Sequence, residues 1–207
     1  MKIAVIGGAG KAGSKIIAEA KSRGHEVTAI VRDRSRLADM SLNIMEKDLF
    51  KLTPEEIGSF DAVVNAFADF TSEENTFLKA AELLINGAIM SKKNPYIFFV
   101  GGAGSLYAGG KQIYTLPDFP PAYYPVAAKL AVVLDYLKKE KDTKWTFLSP
   151  SAEFIDADKQ GNFRLGKDEL LFDSNGKSSI TTGDYAVAVL DELENPKHIR
   201  TRFTVGY

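Results

Sequence analysis

Cysteine is absent from the 207 residues. Thiol nucleophiles, disulfide scaffolding and cysteine-ligated metals are excluded together, and the composition suits a reducing compartment such as the cytoplasm. Histidine occurs only twice, as His25 and His198. Neither stands at a metal-ligand spacing from carboxylates, so no metal site is expected, and both are expected to be exposed and uncatalytic. No apolar run is long enough to span a bilayer, and the N-terminus lacks the pattern of an export signal, so no membrane partner is expected. A formal net charge of −1 offers no global attraction to nucleic acid. A chain of this length buries a full core without a metal or disulfide, so one domain over 1–207 is expected.

What is present begins with Lys2-Ile3-Ala4-Val5-Ile6-Gly7-Gly8-Ala9-Gly10-Lys11-Ala12-Gly13. A short apolar run meets a glycine-rich turn, and the next residues carry helical spacing as far as Arg23. In a strand, turn and helix of this kind, Gly7 permits a tight departure from the strand. Gly10 lets the backbone approach a pyrophosphate, and Gly13 lets the helix pack close to the sheet. Any strand-to-helix turn favours glycine, so the purely structural reading stands beside the phosphate-binding one.

Ile16, Ile17 and Ala20 form the apolar stripe of the first helix, Gly24 stops it, and residues 26–31 read as the second strand. That strand runs into Arg32-Asp33-Arg34-Ser35-Arg36, where an NAD site usually supplies an acid to the ribose hydroxyls. Arginine here offers several donors to a 2′-phosphate and a flat face to adenine, which favours NADP. Asp33 can reach a ribose hydroxyl, or it can cap a helix starting near Ser35 and pair with Arg36. Arg34 and Arg36 read equally as contacts or as solvated surface.

Residues 43–48 read as a third strand. Its Asp48 can accept from an adenine amino group while the Leu49 backbone lines the base pocket, or it can tie down its own loop. The fourth strand, near 61–67, ends on Asn65, which can bond the cofactor or brace the neighbouring turn, and on Phe67, which can flank the nicotinamide side or simply pack. A helix is expected over 73–90 and a central strand over 96–100. The second glycine cluster, Gly101-Gly102-Ala103-Gly104-Ser105-Leu106, is expected to let a ring lie against backbone.

Residues 104–121 are rich in glycine, proline and aromatics and read as a substrate-side loop. Their rings either stack on a flat ligand or cover the end of the sheet. The next helix opens at Tyr123-Tyr124-Pro125. A tyrosine and lysine four apart would make a carbonyl-reducing pair, but Tyr124 and Lys129 are five apart and Pro125 occupies the matching position. No catalytic residue is therefore assigned, and Lys129 reads as a surface or ribose contact.

A strand over 145–149 exits through Pro150, Ser151 and Ala152 toward Phe154, expected as a wall beside nicotinamide or as a rigid sheet exit. Ser149 and Ser151 lack a nucleophile elbow and a His–acid partner. Residues 151–180 are expected to add further substrate-side loops, with strands near 162–166 and 170–172. A helix beyond Thr182 and a final strand over 202–205 complete an α/β, Rossmann-like, doubly wound and mostly parallel sheet with helices on both faces and a small C-terminal cap.

The combination of Gly7-Gly8-Ala9-Gly10-Lys11-Ala12-Gly13, Val31-Arg32-Asp33, Val64-Asn65-Ala66, Ser149-Pro150-Ser151-Ala152-Glu153-Phe154 and Asp184-Tyr185-Ala186 resembles the atypical short-chain dehydrogenase/reductase superfamily. Within its NAD(P)-binding, NmrA-like set, the chain is similar to the NADH-flavin reductase group and, more distantly, to biliverdin reductase B. That resemblance implies that Gly7, Gly10, Lys11, Ala12 and Gly13 hold the pyrophosphate. It implies that Arg32 and Asp33 read the adenosine ribose, and that Asp48 and Leu49 meet adenine. Asn65 and Ala66 pass under the cofactor, while Gly102, Ala103 and Phe154 approach the reacting ring. The implied activity is hydride transfer to a flavin or similar flat acceptor, with flavin a diffusible substrate. An NADP-sensing regulatory protein and a sugar-nucleotide epimerase are the alternatives, and monomer and homodimer remain open.

Overall fold

The computed structural model describes residues 1–207. The buried strand β1 (Lys2–Ile6) occupies the middle of the main sheet, between β2 (Glu26–Val31) and β4 (Ala62–Asn65). Beyond β2 lies β3 (Asn43–Glu46), and beyond β4 lies β5 (Tyr96–Val100). The hairpin β6 (Tyr107–Ala108) and β7 (Lys111–Gln112) stands apart, turned by Gly109 and Gly110 at positive φ. The sheet continues with β8 (Trp145–Ser149) after β5. A separate parallel pair joins β9 (Glu153–Ile155) to β11 (Ser179–Thr181). The edge strand β10 (Arg164–Gly166) runs antiparallel to β12 (Thr201–Gly206), which itself pairs parallel with β8.

The full order is therefore β3-β2-β1-β4-β5-β8-β12-β10, all parallel except β10. From β1 the chain moves outward through β2 and β3, then crosses back to place β4 on the other side of β1. That reversal opens a crevice beyond the carboxyl ends of β1 and β4, where ligands of open α/β sheets bind.

Strand alternation builds two cores. Ile3, Val5, Val27, Phe98 and Phe203 face one side, under α1 (Lys11–Ser22) and α5 (Thr182–Glu194). Ala4, Ile6, Ile97, Phe99, Trp145 and Phe147 face the other, under the short α2 (Pro54–Ile57), α3 (Thr76–Met90) and α4 (Tyr124–Leu137). Each large apolar side chain buried in these layers contributes about 1.5–3 kcal/mol relative to exposure. The expected α/β doubly wound architecture is the one observed.

Several local expectations differ. Helix α3 begins at Thr76, because the Asn75 side chain accepts from Leu78 N and caps it there, leaving Glu73 and Glu74 outside. The segment after Asp33 is a single 3₁₀ turn over Arg34–Arg36, too short for a helix. Residues 170–172 form no strand; Glu169 instead bridges Tyr107 beside the hairpin. Neither histidine is a free surface group. His25 Nε2 lies 2.8 Å from Glu194, while His198 Nδ1 lies 2.7 Å from buried Glu192 and its ring stacks on Phe203. Both carboxylates come from α5: Glu194 reaches His25 across 169 positions, whereas Glu192 and His198 are only six residues apart.

Candidate nucleotide site

The glycine turn is set by backbone contacts. Gly7 adopts φ +75°, and a β-carbon there would lie 2.5 Å from the carbonyl oxygen of Ala66 at the exit of β4. At Gly13 a β-carbon would sit 2.3 Å from Gly7 O, so α1 rests directly on the turn. Gly10 differs: its β-carbon would meet only Gly7 O, at 3.2 Å, and the space beyond is open. Gly10 is also the helix N-cap and has no side chain to bond the first-turn amides. The amides of Lys11, Ala12 and Gly13 are therefore available to an anion, and the positive end of the helix dipole reinforces them.

This turn forms the floor of a cavity of about 680 Å³ that also collects the ends of β1, β2, β3 and β4. Gly7, Gly10, Arg32, Asp33, Asp48, Leu49 and Ala66 line it together. Arg32 and Arg36 both reach this cavity, and neither makes an ion pair within the chain. Asp33 has a structural engagement: its Oδ1 accepts from Ser35 N at 2.9 Å and Ser35 Oγ at 2.6 Å, which holds its carboxyl below the ordinary value. Asp48 caps the next 3₁₀ turn by accepting from Phe50 N at 2.8 Å, leaving its other oxygen without a partner in the chain. The strand preceding it ends at Glu46, two residues short of the expected boundary. Leu49 is buried beneath the cavity wall.

Asn65 is buried at the end of β4, and its Oδ1 accepts from Phe67 N at 3.2 Å, bracing its own strand exit. Phe67 packs edge-on between Phe50 and Phe77, on the same side of the cavity as Asp48. The following loop supplies wall residues that the sequence reading did not single out: Asp69, Phe70 and Thr71. Asp69 accepts from the backbones of Thr71 and Ser72, which lowers its carboxyl to about 2. An aspartate followed two and three residues later by Thr and Ser, just past a strand end, is the sequence signal for that turn. Phe70 remains 74% exposed at the rim.

The remaining predicted residues lie outside this cavity, and several have other partners. A β-carbon at Gly102 would meet Leu130 Cδ1 at 2.8 Å, and one at Gly104 would meet Ala127 Cβ at 2.6 Å. Helix α4 therefore approaches both glycines closely, through the tip of a flexible leucine at Gly102 and through the Ala127 β-carbon at Gly104. Ala103 opens the 3₁₀ turn at the same contact. Ser151 is buried, with Oγ donating to Val205 O at 2.9 Å, so its hydroxyl fastens β12. Pro150 is likewise buried at the end of β8, and Phe154 packs its ring 4.8 Å from Tyr185. Lys129 Nζ donates to Ser72 O, so the lysine anchors the loop that walls the cavity. Asn75 Nδ2 donates to Lys129 O at 3.1 Å and closes the same link from the other side.

A second, open cavity of about 490 Å³ lies at the start of α4, lined by residues of the 114–125 segment. No group of His, Asp and Glu side chains is placed to hold a metal ion. No helix is long and apolar enough to cross a membrane.

A parallel sheet with its reversal at β1 and β4, a glycine turn presenting free amides, and a cavity between them define a Rossmann-like nucleotide-binding protein. The chain belongs to the NAD(P)H-binding family, which it matches over residues 7–196. It is 46% identical over 209 residues to the uncharacterized protein YwnB of Bacillus subtilis, covering 99% of this chain and 98% of that one. Among solved structures, a candidate NADH-flavin reductase from Streptococcus pneumoniae superposes with a TM-score of 0.92 at 38% identity, covering 100% of this chain and 99% of the other. A candidate epimerase from Bacteroides thetaiotaomicron superposes at 0.86 with 36% identity, covering 100% and 96%.

Proposed function

We propose that this protein is an NAD(P)H-dependent oxidoreductase that prefers the 2′-phosphorylated cofactor and passes hydride to a flavin or similar flat acceptor. The observation that carries the cofactor preference is the pair of unpaired guanidinium groups, Arg32 and Arg36, on the wall of the nucleotide cavity. When bound, the reduced nicotinamide supplies the hydride. The first-turn amides of α1 hold the diphosphate, Arg32 and Arg36 hold the 2′-phosphate, and Asp48 and Leu49 flank the base. The loop anchored by Lys129 walls one side of the cavity.

The chain contributes no acid to the acceptor. Tyr124 is turned toward Tyr114, with centroids 5.9 Å apart, and Lys129 is engaged on a backbone carbonyl, so no tyrosine–lysine proton donor is assembled. This suits an acceptor that takes its proton from water and counts against the epimerase reading, which needs an acid–base tyrosine. It also keeps one rival in view: an NADP-sensing regulatory protein without turnover. The name borne by the Streptococcus pneumoniae relative favours the reductase.

Calorimetric titration with NADPH and NADH tests the preference. NADPH is expected to bind at least ~10-fold more tightly. Arg32→Ala should remove most of that gap, since a charge-assisted hydrogen bond contributes about 1.5–3 kcal/mol and an exposed one falls at the low end. Equal affinities in the wild type sink the preference. Absence of nicotinamide oxidation across flavins and quinones sinks the reductase reading and favours the sensor.

A further inference from the structure

We propose that Phe70, on the loop that leaves β4, is a preorganised stacking plate for the purine base of the nucleotide. The proposal rests on the cofactor reading above and adds the side chain that holds the face of the base.

The cavity of about 680 Å³ is walled by the ends of β1, β2, β3 and β4 and by no residue from the exits of β5 or β8. In a dinucleotide laid across an open α/β sheet, the residue after β2 reads the adenosine ribose, so this half takes adenosine. Phe70 lines that half, with its ring 74% exposed. Phe67, earlier in the same loop, packs 5.8 Å from Phe50, so the loop reaches the exit of β3, where Asp48 keeps one oxygen without a partner. Arg32 and Arg36 line the same cavity from the exit of β2, on the other side of β1. A base entering between these walls meets flat guanidinium groups and the Phe70 ring, both of which gain from a π-face.

An exposed phenylalanine alone says little; what distinguishes Phe70 is a backbone fixed on both sides and a ring left without a partner. Asp69 Oδ1 accepts from Thr71 N at 3.0 Å and from Ser72 N at 3.1 Å, and its Oδ2 accepts from Thr76 Oγ1 at 3.1 Å in the first turn of α3. From α4, Lys129 Nζ donates to Ser72 O, and Asn75, the cap of α3, donates from Nδ2 to Lys129 O at 3.1 Å. On the side nearer β4, Phe67 is wedged between Phe50 and Phe77. No aromatic ring of the chain packs on Phe70 itself. Holding the loop in place before any ligand arrives reduces the ordering cost of stacking.

The chain offers a direct optical readout. Trp145 is its single tryptophan and is fully buried beneath α3 and α4. Phe70→Trp therefore adds one exposed emitter at the cavity rim, and a base stacked on that indole quenches it.

The test uses the purified protein and adenosine 2′,5′-bisphosphate, which carries the base, the ribose and both phosphates without nicotinamide. By calorimetry, Phe70→Ala should weaken this ligand at least ~5-fold, the loss expected for one base–aromatic stack, and Phe70→Tyr should restore wild-type affinity. The melting temperature should stay unchanged in both variants. In Phe70→Trp, the bisphosphate should quench the new emission, while nicotinamide mononucleotide should leave it unchanged. Affinity insensitive to Phe70→Ala overturns the plate. A melting temperature that falls together with the affinity makes Phe70 a structural residue and overturns it as well. Quenching by nicotinamide mononucleotide but not by the bisphosphate overturns the assignment to the base. If neither the bisphosphate nor NADP⁺ binds the wild type, the cofactor reading falls and takes this proposal with it, whereas tight binding that ignores Phe70 strikes the plate alone.

Discussion

Replacing Gly13 by alanine should damage stability and nucleotide binding together. The new β-carbon would lie 2.3 Å from Gly7 O, 2.9 Å from Gly7 C and 3.0 Å from Gly8 Cα. All three are backbone atoms, so no side chain can rotate away. Against a carbon contact optimum near ~3.5 Å, relief requires α1 to retreat by about 1 Å. That retreat loosens Ile16, Ile17 and Ala20 against the core shared with α5. Overpacking typically costs about 1–3 kcal/mol and more when backbone must move; the helix propensity of alanine returns up to ~1 kcal/mol. A net loss of about 2–3 kcal/mol lowers the melting temperature of a chain this size by about 4–12 °C. The same displacement carries the first-turn amides away from the phosphate position, so NADP⁺ affinity should fall at least ~10-fold. Thermal melts and calorimetric titration measure the two effects. Gly24→Ala is the control: Gly24 has φ +79° with no atom within 4 Å of a β-carbon, so it should cost about 1–2 kcal/mol of backbone strain and leave NADP⁺ affinity intact. If Gly13→Ala melts no lower than Gly24→Ala and binds NADP⁺ normally, the packing argument for this turn is wrong.

Two further substitutions probe parts of the fold remote from that turn. Glu192 is 5% exposed and accepts from Lys197 N, His198 N and Tyr96 Oη while facing His198 Nδ1, so Glu192→Ala should cost about 3–5 kcal/mol without changing NADP⁺ affinity. A fall in melting temperature of less than ~2 °C contradicts that estimate. At Asp184, burial opposes ionisation, but hydrogen bonds from Tyr207, the Gln160 and Gly161 amides and Thr181 outweigh it and hold the carboxyl below its ordinary 3.8. A lowered folded-state value stabilises above the ordinary one and is lost as pH falls through the lowered one. Asp184→Asn should therefore be less stable than wild type at pH 7 in urea unfolding, with the difference shrinking as pH drops below 3.8; a constant difference at every pH refutes this.

Much of the fold was legible because its signals are local. The apolar run 2–6, the four glycines after it and the stripe Ile16, Ile17 and Ala20 define a strand, a turn and a helix within two dozen residues. Repetition of that pattern implies a parallel sheet, and Asp33 and Asp48 announce their turns by their own chemistry. The position of Arg32 immediately after β2 likewise follows from the strand boundary.

Where a residue's partner is distant along the chain, local pattern gave no access to it. Gly102 and Gly104 resemble a ligand-facing cluster in sequence, yet Leu130 and Ala127 occupy the space their missing β-carbons leave. Ser151 meets Val205 across 54 positions, and Lys129 meets Ser72 across 57. By itself, the sequence determined the first strand, the glycine turn and its helix, and the arginine that follows β2, because each depends on spacing within one element. Only the tertiary structure decided which polar groups stay free for a ligand. A hydrogen-bonding group available in sequence is consumed in the fold whenever packing brings a distant partner within reach.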